Sequence, residues 1–147
     1  HIKDFWNMLV RNSVYTTLRL QAPKSLIQYN TKAYINSIKK YPIDAITHLN
    51  FLSFCDVTEV AKAARDYGTY IELNSKKVHL TDDELDRVNQ TGVRFIVNSD
   101  AHSLDRIGDT FLVDKLLQRV NISTERIDNI DGRLPQFRFR EYKKRHL

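Results

Sequence analysis

Three short apolar runs, Asp44–His48, Thr69–Leu73 and Val93–Val97, follow helical stretches and lead into polar residues at roughly 20 to 25 residue intervals. A chain that alternates helix and short apolar strand in this way is built for a parallel sheet with helices outside it. Right-handed crossovers then put the C-terminal ends of all the strands on one side, where such folds carry their chemistry. The fold class expected is therefore α/β, with the 147 residues forming a single domain segment.

The punctuation between the runs supports this reading. Asp56 or Thr58 is placed to start a helix through VTEVAKAARDY, and Gly68 suits its left-handed end. Thr81 with Glu84 three residues later spells a capping box, and the helix it opens carries Leu85 and Val88 inward before Gly92. A further helix is expected over Phe111–Val120, and a short helical turn at Thr124–Ile127. Earlier in the chain, residues 4–12 read as a short helix and Val14–Leu20 (VYTTLRL) as a strand, with Asn30 or Thr31 capping a helix to Lys40. After the turn near Ile127 the remainder reads as extended or irregular.

The polar residues at the strand ends are His48, then Glu72 and Asn74, then Asp100 and His102. Imidazole and carboxylate side chains gathered this way suit zinc, iron or manganese. Residues two apart off a strand end can face the same way, so Asp100 and His102 can address one cavity or two adjacent metals. A strand-end histidine is also commonly satisfied by a backbone partner, Glu72 by a hydrogen bond on the sheet face, and Asp100 by capping a turn. His79 lies outside this set, where a surface or loop role is expected.

Other chemistries find no support. The chain lacks a phosphate-cradling GxxxxGK[ST] loop, a GxGxxG fingerprint and a GxSxG elbow. The single cysteine, Cys55, excludes an internal disulfide and a cysteine-based zinc finger, and agrees with a reducing, cytoplasmic location. No apolar run approaches the roughly 18 residues of a membrane span. The net charge of +5 is concentrated near the end, where Arg133, Arg138, Arg140, Lys143, Lys144 and Arg145 face only Glu141. Phe137, Phe139 and Tyr142 are interleaved there. Nucleic acid is a conceivable partner for such a tail, but solvated charges around two packed phenylalanines are the expectation.

The run Phe95–Ser103 (FIVNSDAHS) resembles the last metal-binding motif of the PHP family, named for polymerase and histidinol phosphatase. Gly68–Ser75 (GTYIELNS) is similar to that family's Glu-x-Asn strand, and Ala45–His48 to its strand ending in a metal-binding histidine. The resemblance covers about residues 14 to 132. It implies the C-terminal half of a distorted (β/α)7 barrel, parallel strands with outer helices, and a multinuclear site that hydrolyses phosphate esters. Carried over by motif, His48, Asp100 and His102 would hold metals and serve catalysis, with Asn74 and Arg19 toward a small phosphorylated substrate.

Two departures accompany the resemblance. The family's N-terminal His-x-His pair and its bridging glutamate are absent, which implies that the first half of the barrel lies outside these residues. The strand before the long helix, which ends in a histidine in the family, matches Tyr15–Gln21 here and contains Arg19 instead. A non-catalytic scaffold or regulatory module and an exonuclease-like, nucleic-acid-processing domain are the rival expectations. A half barrel would also expose sheet edges that invite a homo-oligomer, which a mass in solution above that of one chain would reveal.

Overall fold

The computed structural model describes residues 6–18 and 20–146. A π-helical turn, Trp6–Arg11, runs into helix α1 (Asn12–Thr17), followed by α2 (Lys24–Lys40), β1 (Ala45–Ile46), α3 (Val57–Asp66) and β2 (Tyr70–Asn74). Then come α4 (Asp82–Gln90), β3 (Phe95–Asn98), α5 (Phe111–Arg119) and α6 (Arg138–His146), with 3-10 turns at Leu104–Arg106 and Thr124–Arg126. The sheet has the order β1-β2-β3 and is parallel throughout, with Ile71 opposite Phe95 and Asn74 opposite Asn98. A parallel bridge between Phe95 and Ile127 extends it by one position beyond β3. Among the described residues the sheet is open and does not close as a barrel.

All five residues of β2 are buried, as expected for a central parallel strand covered on both faces. Its Ile71 and Leu73 join Phe95, Ile46, Val60, Leu85 and Leu116 in one core. The helices lie as the caps specify. Asp56 accepts from Thr58 N and Glu59 N at 3.1 Å, and Thr81 and Glu84 complete the capping box. Gly68 ends α3 with φ of +66°, a conformation that costs any side-chain-bearing residue energy.

Three expectations need correction. Val14–Leu20 is not a strand: Asn12–Thr17 is helical. The β-branched composition yields there to a tertiary contact, because buried Asn12 exchanges hydrogen bonds with Asn30 at 2.8 and 3.3 Å. The helix expected to start at Asn30 or Thr31 begins instead at Lys24, straight after Pro23. Both residues are buried within it, Asn30 donating to Phe54 O and Thr31 accepting from Asp56 N. Last, the basic end is not irregular but forms α6, held at Phe139 N by Asp44 Oδ1 at 3.1 Å. Phe137 and Phe139 remain 44% and 46% exposed, so they are only half packed. Arg19 lies outside the described residues.

Candidate active site

The polypeptide leaves β1 and β3 by the same unusual route. His48 and Asp100 both hold left-handed backbone, with φ of +48° and +49°. Such conformations are costly for residues with a Cβ and persist where surrounding contacts enforce them. The contact enforcing the first is Glu72, from the middle of β2. Its side chain is only 1% exposed, and its Oε2 accepts from His48 N at 2.9 Å while Oε1 accepts from Asn98 Nδ2 at 2.8 Å. One buried carboxylate thus ties the ends of β1 and β3 to the central strand.

This arrangement turns the His48 ring toward Asp100. His48 Nδ1 lies 3.6 Å from Glu72 Oε2, and Nε2 lies 3.9 Å from Asp100 Oδ2. Two donors bonded at about 2.1 Å to one ion are at most about 4.2 Å apart, so one cation can reach both, and tetrahedral binding would draw the pair in to about 3.4 Å. His102 stands on the other side of Asp100, its Nδ1 2.8 Å from the Asp100 carbonyl oxygen and 3.9 Å from Oδ1. Lys76 Nζ, however, sits 3.1 Å from both ring nitrogens of His102 and brings its positive charge against the ring. Among the described residues no three His, Cys, Asp or Glu side chains converge on a single metal position. The donor set is therefore partial: His48 pairs with Asp100, while His102 donates Nδ1–H to the Asp100 carbonyl oxygen and has only Nε2 left for a metal.

Asn74, at the tip of β2, faces the same small cavity as His48 and Glu72. Its Oδ1 accepts from Lys76 N at 2.8 Å and Lys77 N at 3.0 Å, fixing the turn that brings two lysines over the site. Its Nδ2 approaches His48 Nδ1 at 3.5 Å. Asn74 is 4% exposed, so its reach is toward the turn and the histidine.

The sequence placed His79 away from these residues, and the structure places it beside them. Its ring meets His48 edge-on at 5.2 Å and lies 4.0 Å from Phe51. Burial first, then the charges of His48 and Lys77, hold its pKa below the ordinary imidazole value. His79, Lys76 and Lys77 all reach the site through the turn after β2, and strand-end spacing gives no sign of a residue that returns by a turn. The Asn74 side chain accepting from the turn is the only local signal, an Asx-type turn legible in Asn74-Ser75-Lys76-Lys77.

No protein-family model matches the chain. It is 31% identical over 116 residues to a probable phosphatase of Caldanaerobacter subterraneus, covering 73% of this chain and 46% of that protein. A probable phosphatase of Acetivibrio thermocellus is 31% identical over 131 residues, 84% of this chain and 52% of its own. A third, from Vibrio campbellii, is 32% identical over 108 residues, with coverage of 67% and 43%. The chain spans about half the length of these relatives, and over most of its own length it is similar to bacterial proteins named as probable phosphatases.

Proposed function

We propose that this chain carries part of the active site of a metal-dependent phosphoesterase of the PHP type. The observation that carries the reading is the His48–Asp100 pair, aimed across 3.9 Å at the C-terminal side of a parallel sheet and braced by buried Glu72. The similarity to probable phosphatases supports the same chemistry. His48 and Asp100 would hold one metal, and His102, through Nε2, a neighbouring one once Lys76 moves off the ring. Further donors would come from sequence beyond these residues, in the half of the relatives' length that the chain does not span. The open sheet would then be one arc of a barrel. Zinc, manganese and iron all suit this donor chemistry.

A bound metal supplies an activated water and neutralises charge on the phosphoryl group. The chain's own residues supply placement. Glu72 fixes His48 through its backbone and faces Nδ1, leaving Nε2 directed at Asp100. Lys76 and Lys77, held by Asn74, bring positive charge to where a phosphate monoester would sit. The Phe51 and His79 rings pack beside the His48 ring. Arg19 is proposed as a further phosphate contact on the strength of the family resemblance alone.

The test is hydrolysis of p-nitrophenyl phosphate by the full-length chain supplied in turn with zinc, manganese and iron(II). Metal-dependent turnover that falls at least 100-fold in Asp100→Ala and His48→Ala is expected. A second reading, a scaffold without catalysis, is favoured by the contact of Lys76 with both nitrogens of His102. Turnover absent with every metal would decide for it.

A further inference from the structure

At the opposite, N-terminal end of the strands lies a cleft that the phosphoesterase reading does not use. It opens below Thr69, Tyr70 at the start of β2 and Arg94 before β3, has a volume of about 790 Å³, and is lined by four arginines: Arg65, Arg94, Arg133 and Arg138. One carboxylate, Asp128, lines it with them. Asp128 is consumed by its neighbours: Arg94 grips both of its oxygens, and Tyr70 donates its hydroxyl to Oδ2 at 2.9 Å.

The remaining arginines are not equally committed. Arg65 pairs at 2.7 Å with Asp66 and donates to Thr91 O, while Arg133 meets Asp131 at 3.3 Å and donates to Thr124 O at 2.8 Å. Asp66 and Asp131 are 54% and 77% exposed, so water screens these pairs and a stronger anion can displace them. Arg138 is held by neutral oxygens, Thr69 Oγ1 at 3.3 Å and Tyr41 O at 3.4 Å. The Arg138 stem runs past Gly68 and the Arg65 stem past Gly92 along the cleft wall.

We propose that this cleft is a second ligand site, for a phosphorylated small molecule carrying two or more negative charges. Guanidinium groups match phosphate oxygens two at a time, which favours phosphate over a single carboxylate. The volume falls within the roughly 300–1,000 Å³ of small-molecule sites. Exposed Leu134 gives an organic body an apolar surface to lie on. The site is separate from His48 and Asp100 and would act on them only through β2 and β3.

The probe is methylenediphosphonate, whose P–C–P bridge resists hydrolysis, titrated calorimetrically into the full-length chain at low ionic strength. The expected result is a binding event weakened at least tenfold in Arg133→Gln/Arg138→Gln, weakened less in Arg138→Lys than in Arg138→Gln, and unmoved by Asp100→Asn. If the double variant fails to melt as the parent does, Arg133→Gln alone, in the loop before α6, should weaken the event at least threefold. Binding lost only in Asp100→Asn would place the anion at the strand ends and overturn the proposal. So would absence of any event that the arginine changes weaken, or binding of single-stranded oligonucleotide without binding of the diphosphonate.

Discussion

A carboxylate with 1% of its side chain exposed, as Glu72 has, must find donors for both oxygens or bear a heavy desolvation cost. Its donors here are His48 N and Asn98 Nδ2, so its ionic charge sits beneath the histidine that faces Asp100. Glu72→Gln keeps the volume and removes the charge. By analogy with partners that orient metal ligands, it should lower metal affinity by roughly 10–100-fold. A competitive titration against a chromogenic chelator measures this, and an unchanged affinity would strip Glu72 of its positioning role. Cys55 is a buried group of a different kind. Burial, reinforced by the charges of Asp56 and Glu84, pushes its thiol from 9.0 up to about 12. Tyr34, similarly buried and adjacent in charge, is pushed up to about 12 as well. Below pH 9 both groups hold their protons in the folded and unfolded chain, and their full contribution to stability is present. As pH rises toward 12 the unfolded chain releases protons that the fold retains, so stability falls. Urea midpoints should therefore decline from pH 9 upward, and Cys55 should react with a disulfide reagent at pH 8 only on unfolding.

Among the elements, the caps carry a measurable share of stability. Asp56 bonds two amides at the start of α3, and Thr81 shares its capping box with Glu84. Each change to Ala should cost about 1 kcal/mol in urea denaturation without altering the slope. A loss under about 0.3 kcal/mol at both would show that tertiary packing holds those helices unaided. These elements were legible because their signals are local: Thr81 with Glu84, Gly68 after α3, and apolar runs at β2 and β3. The misread elements were those decided at a distance. Nothing near Asn12 announces a partner at Asn30, and that buried amide pair makes a helix of a strand-like run. Asn30 looked like a cap for the same reason, since an amide that caps and an amide that pairs inside a helix are identical in sequence. α6 was hidden by its charge, because Arg138–His146 has no broad apolar stripe to mark it. At the site, the residues at strand ends were visible through spacing, while His79 and Lys76 come in by a turn whose direction depends on the Asn74 side chain.

Taken whole, the molecule has two chemically distinct ends on one parallel sheet. Imidazoles, carboxylates and the Lys76–Lys77 turn crowd the C-terminal side, and arginines line the cleft at the N-terminal side. Among the described residues no helix is long and apolar enough to cross a membrane. The edge of β1 that faces away from β2 has no strand partner among the described residues. That free edge is where a further arc of sheet, or a second copy of the chain, would add. The central claim, that His48 and Asp100 are two donors of a larger metal site, is tested most directly by elemental analysis of the full-length protein purified without chelator. Two or more metal ions per chain, with at least one lost in Asp100→Ala and in His48→Ala, is the expected result. Absence of metal, or a content that neither change alters, would contradict it.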